Sequence, residues 1–189
     1  MTTTPHIPPR ATGICAMLAA AALAVCAIIQ VTDSQSSQTT VVGVEHVTLG
    51  ALSALLLLLV PATLHLGALA GRPRVALAAV TGQALLAALC VVSNVRGEDP
   101  SFFAAVAVPT NLLWLGGWIA IGVGLRRRAR APLALAVGLP LCWVATMPLS
   151  AIGGTLLAGF FWLAVGWLLL HDALPVTSRP SKRLAEVPA

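Results

Sequence analysis

Long uncharged runs separated by short polar interruptions make up most of this chain. Residues 46–70, HVTLGALSALLLLLVPATLHLGALA, contain no Asp, Glu, Lys or Arg, and are bounded by Glu45 on one side and by Arg72 and Arg74 on the other. At about 1.5 Å per residue, such a helix reaches roughly 37 Å. That is enough to cross a hydrocarbon core of about 30 Å with some tilt. Leu55 to Val60 is apolar on every face, as lipid or a bundle interior requires. Residues 11–32, 75–95 and 102–125 repeat this unit, and the forty residues 131–170 carry no formal charge either. As one helix these forty would reach about 60 Å, twice the hydrocarbon thickness. They must fold back, and Pro148-Leu149-Ser150 with Gly153-Gly154 marks the turn. The pattern therefore predicts further spans at 131–148 and 152–170.

The expected fold is all-α: a polytopic membrane protein, a bundle of six transmembrane helices over residues 11–170. Polar tails at 1–10 and 171–189, rich in Pro, read as disordered. The longest connection, residues 33–45, is rich in Ser, Gln and Thr. Asp99-Pro100 suits the start of the fourth span, Asp as cap and Pro at the first position. Ala22-Leu23-Ala24 has the small-x-small form of a signal-peptide cleavage site, but the apolar run continues unbroken to Val31. A full-length run of this kind is expected to be a retained helix.

Composition agrees. The chain of 189 residues is 58% hydrophobic and 9% charged, against about 25% charged in soluble domains. The net charge of +5 does not indicate nucleic acid, because the basic residues sit in short loops and the tail. No basic helix face is interleaved with stacking aromatics, so no nucleic-acid partner is expected. With six spans, ten of the eleven Lys and Arg residues fall on the side of the termini, and only Arg96 on the other. Cationic residues concentrate on the cytoplasmic face, so both termini are expected to be cytoplasmic. Tyr is absent, Lys occurs once, at Lys182, and Ala, Leu and Arg dominate, a bias of GC-rich bacterial coding sequence. The expected location is a bacterial-type plasma membrane.

Candidate chemistry is sparse. Cys15, Cys26, Cys90 and Cys142 all lie in apolar runs without CxxC spacing, which reads as packing. A Cys26–Cys90 disulfide is conceivable from their similar depth. Polar side chains within spans carry more information. Gln83 and Asn111 both fall near mid-membrane, where their amides could pair as interhelical glue or orient a ligand. Asn94 and Trp114 join them as candidate ligand-binding residues. Pro109, just before Asn111, is expected to free a carbonyl near Ala105. Glu45, His46 and His65 are the candidate catalytic residues. Glu45 suits a helix N-terminus, His46 adjoins it, and His65 is embedded one turn after Pro61. A haem between His65 and His171 is disfavoured by their difference in depth, around 10 Å. No metal and no cofactor are expected. Ala16, Ala20 and Ala24, and Gly116, Ala120 and Gly124, form small-residue stripes at i, i+4, i+8. They would suit helix packing or a second copy of the chain.

No Walker loop, GxSxG, HExxH or CxxCH occurs. The expected partners are the lipid bilayer and a lipophilic small molecule. The leading functional expectation is a non-enzymatic accessory, sensory or ligand-binding bundle. One alternative is an intramembrane enzyme acting on an isoprenoid or lipid. Another, a small transporter, is disfavoured because no carboxylate lies within a span.

Overall fold

The computed structural model describes residues 8–32 and 43–174. Most of the predicted tails at 1–10 and 171–189, and most of the 33–45 connection, lie outside the described residues, but Pro9 and Arg10 belong to a helix and not to a disordered tail. Among the described residues the regular elements are helical: α1 (Pro9–Thr32), α2 (Val44–Leu58), α3 (Val60–Leu69), α4 (Pro73–Arg96), α5 (Phe103–Arg128), α6 (Leu133–Thr146), a 3-10 turn (Ser150–Ile152) and α7 (Gly154–Leu170). Four segments are long and apolar enough to cross a membrane: Pro9–Gln30, Glu45–Leu69, Pro73–Arg96 and Phe103–Arg128. α6 and α7 are shorter, at 14 and 17 residues.

Two boundaries differ from the sequence reading for identifiable reasons. The predicted span at 46–70 is a unit broken at Leu59, two residues before Pro61. Pro61 has no N–H for the Leu57 carbonyl four residues back, and its ring crowds that carbonyl. The flanking bonds, Leu59 N to Leu55 O and Thr63 N to Leu59 O, persist at 3.0 and 2.9 Å. The predicted end of the fourth span at 125 falls short, since α5 continues through Arg126, Arg127 and Arg128. Arginine is a good helix former, and its charge suits the negative end of the helix dipole.

Successive long segments alternate in direction. Gly13, early in α1, lies against Gly166 and Leu170, late in α7. At the far end of the same pair, Thr155 Oγ1 donates to Gln30 Oε1 at 3.0 Å. Gly124, late in α5, lies against Ala70 at the end of α3. One end of the bundle therefore gathers the start of α1, the α3–α4 and α5–α6 connections and the end of α7. The other end gathers the start of α2, the α4–α5 connection and the α6–α7 turn.

Small residues set the helix spacing. An added Cβ on Gly82 would stand 2.6 Å from Thr110 O and 3.0 Å from Trp114 N, so α4 and α5 meet nearly backbone to backbone. Gly122 of α5 lies directly against Ala136 O of α6. Pro140 explains why that carbonyl is available, because it offers no N–H four residues on. The small-residue stripes are used within the chain, not wholly as their spacing suggests. Ala16 and Ala20 are buried in the core. Gly124 is buried, but Gly116 faces open space. Eight residues rotate a helix position by about 80°, and the face in use is Gly117, against Ala79, with Gly124.

The core is aromatic at its centre. Trp114, Trp118 and Trp162 are each 1% exposed. The Trp114–Trp118 rings stand 5.0 Å apart edge to face, and Trp118–Trp162 5.4 Å apart. The outside is apolar as well: Ile28, Leu77, Leu112, Leu157 and Phe160 are all exposed.

Candidate functional site

Each candidate residue has a definite place, and they divide into two groups. Glu45, His46 and Asn94 lie at the end of the bundle where α2 begins and α4 finishes. Glu45 occupies the first turn of α2, where a carboxylate meets the positive end of the helix. His46 is exposed, and its Nδ1 shares a hydrogen bond with Asn94 Oδ1. This bond ties α2 to α4 across 48 positions of sequence. Arg96 and Glu98 pair nearby at 3.6 Å, both well exposed. An exposed ion pair of this kind contributes little to stability.

Gln83, Asn111 and Trp114 form the second group, in the middle of α4 and α5, but not as a pair of amides. Gln83 is 0% exposed, and neither Oε1 nor Nε2 has a hydrogen-bond partner. Asn111 turns the other way. Its Nδ2 donates to Ala107 O at 2.9 Å, and its Oδ1 accepts from Trp143 Nε1 of α6 at 3.0 Å. The expected Gln83–Asn111 pairing is therefore not formed, although α4 and α5 are neighbours. The register explains it: Gly82 seats against Thr110 and Trp114, and Asn111 lies about 100° around the helix from Thr110.

Next to Pro109, polar side chains bond backbone carbonyls at Val106 and Ala107, one and two residues beyond the Ala105 position expected from the sequence. Thr110 Oγ1 donates to Val106 O and Ala107 O, both at 2.9 Å, beside the Asn111 bond to Ala107 O. Side chains thereby satisfy backbone acceptors next to a proline that donates nothing. Trp114 lies on the Gln83 side of α5, and its Nε1 is also buried without a partner. One buried amide and one buried indole N–H thus lie unsatisfied near one helix crossing. Unmet polar groups in an apolar interior are costly.

His65 sits half-buried on α3. His171, beyond the end of α7, stacks on Trp167 with ring centroids 4.2 Å apart. Among the described residues, no three of His, Cys, Asp and Glu converge as metal ligands. All four cysteines are free, and the Cys26–Cys90 disulfide is not formed. α2 packs against both α1 and α4 and keeps these two cysteines apart.

Sequence reasoning missed the residues that frame the tryptophan cluster. Trp118 Nε1 donates to Thr63 Oγ1 at 3.3 Å, linking α5 to α3 inside the core. Trp162 faces inward from mid-α7, whereas Trp167 is exposed. Ser93, one residue before Asn94, has a buried Oγ without a partner. Position along the spans flagged these depths, but only the face of each helix could have selected the residues. Compared with known proteins, the chain matches no family model, no curated protein and no solved structure.

Proposed function

We propose that this chain is a six-span integral protein of a bacterial-type plasma membrane. Both termini are cytoplasmic, and the protein is a non-enzymatic accessory or sensory bundle that holds a lipophilic molecule by its polar head. Membrane residence is supported by the four long apolar segments and by large apolar side chains exposed along them. In water such a continuous apolar exterior would drive association. The orientation is supported by the arginines: among the described residues, only Arg96 belongs to the end that holds Glu45, Glu98 and Asp99.

The single observation that carries the ligand reading is Gln83, fully buried with both amide atoms unpartnered, where α4 crosses the segment of α5 that carries the equally unpartnered Trp114 indole N–H. Together they offer three N–H donors and one acceptor oxygen, which suits a carbonyl or hydroxyl head on an apolar body. The enzymatic alternative has less support. His46 and Asn94 bond to each other at an exposed end, and Asn94 is about 16 Å from Gln83 along α4. Native mass spectrometry of the detergent-purified protein tests the reading. The wild type should retain a lipophilic molecule, and Gln83→Leu should release it while remaining folded by circular dichroism. Equal retention by the variant, or a wild type carrying only bulk lipid, would overturn the proposal.

A further inference from the structure

The end of the bundle opposite His46 carries an unpaired concentration of positive charge with a specific geometry. The α3–α4 connection brings Arg72 and Arg74, and the end of α5 brings Arg126, Arg127, Arg128 and Arg130. The two connections touch. Arg128 lies over Gly71, and its Nη1 donates to Gly71 O at 3.4 Å. One turn earlier on α5, a Cβ on Gly124 would stand 3.3 Å from Arg72 Cδ. Arg72 and Arg128 therefore converge on one side of α5. Gly71 makes this approach possible, having φ 65° and no side chain to block the guanidinium.

Among the described residues, none of these arginines is neutralised by a carboxylate. Among the described residues the one ion pair, Arg96 with Glu98, lies at the far end. Asp172 belongs to the arginine end but pairs with none of them. Arg130 occupies a left-handed backbone position, φ 50°, of the kind glycine usually fills just beyond a helix end. A charged side chain stands there despite the steric cost. Arg126 and Arg128 each give one donor to a carbonyl, Arg126 to Ala131 O at 3.1 Å. A guanidinium has five donors, so most remain free.

We propose that Arg72 and Arg128 form a seat for the phosphate of an anionic phospholipid. Planar guanidinium forks match a phosphate diester in two-point contacts. A lipid is the occupant that fits because Arg128 ends, and Arg72 immediately precedes, a segment long and apolar enough to cross a membrane, and the outside of the bundle is apolar, with Leu77 of α4 exposed. A phosphate held there places its acyl chains along that surface. The seat is distinct from the Gln83 region and does not rest on the ligand reading given above.

The test uses the full chain in neutral detergent, with thermal unfolding followed as phosphatidylglycerol, phosphatidylcholine or inorganic phosphate is added. Phosphatidylglycerol should stabilise the wild type at concentrations at least tenfold below those needed of the other two. Arg72→Gln with Arg128→Gln should abolish that preference, whereas Arg96→Gln and Gln83→Leu should leave it intact. A preference surviving the double change, or lost equally in Arg74→Gln with Arg127→Gln, would overturn the seat in favour of diffuse attraction. Stabilisation by inorganic phosphate alone would overturn the lipid. Should the double variant not fold, Arg128→Lys keeps the charge without the fork. It should weaken the preference at least threefold, and an unchanged preference would refute the proposal.

Discussion

Replacing Gly13 by Ala adds one methyl group where α1 crosses α7, and the structure fixes what that methyl meets. Its carbon would stand 2.7 Å from Gly166 O and 2.8 Å from Leu170 N, both backbone atoms that cannot rotate aside. Ordinary contact begins at 3.4 Å, so the helices must part by about 0.7 Å. A gap of 0.5–1 Å forfeits about a quarter to a half of each dispersion contact. Overpacking of this kind costs about 1–3 kcal/mol. Gly116→Ala is the matched control, since its methyl would enter open space, and it should be neutral or stabilising by up to about 1 kcal/mol. Gly166→Ala meets Gly13 O at 2.9 Å on the same crossing. The two changes should therefore be less than additive, because the first displacement makes room for the second. Denaturant unfolding in micelles, followed by fluorescence of the buried Trp114, Trp118 and Trp162, reads the wild type, the three single variants and the Gly13→Ala, Gly166→Ala double variant. A Gly13→Ala midpoint within about 0.3 kcal/mol of Gly116→Ala would refute the backbone-to-backbone account of this crossing.

Trp143→Phe removes the donor to Asn111 Oδ1 and should lower stability by about 1 kcal/mol. Most of that loss should be absent when Asn111 is already Ala, and two fully additive losses would show that the bond is not the cause. Gln83→Leu in ligand-stripped protein should raise the unfolding free energy by about 1–3 kcal/mol, because two unmet polar atoms leave the core. A fall in stability would mean that the amide is satisfied. Cysteines introduced at Glu98 and Arg127 test orientation against an impermeant thiol reagent on intact cells. Labelling is expected at 98 and not at 127, and the reverse pattern would invert the topology.

Much of the architecture was legible because uncharged run length is a one-dimensional signal. The spans at 11–32 and 75–95 begin within two residues of α1 and α4, and the Pro148 and Gly153-Gly154 signals mark the true α6–α7 turn. Partner choice was not legible. Counting residues placed Gln83 and Asn111 at comparable depth, but depth does not say which face a residue occupies. One position of register sends Asn111 to Trp143 instead. The same limit hid Trp118 with Thr63, which meet across 55 positions of sequence. The stripe at Gly116, Ala120 and Gly124 misled because a four-residue step over-rotates a 3.6-residue turn. Local proline chemistry was missed as well: the break at Leu59, just before Pro61, lies inside a run that uncharged length alone reads as one span.

If the bundle sits in a membrane as proposed, the brevity of α6 has a consequence for the surrounding lipid. Fourteen residues measure about 21 Å, well short of a 30 Å hydrocarbon layer. Its neighbour α7 is also short, so the deficit is confined to one flank of the bundle. Acyl chains touching that flank would have to shorten or splay, while those against α4 and α5 need not. The protein would then carry a dimple in the bilayer on one side only, a ready preference for thin or curved membrane and for neighbours sharing the same mismatch.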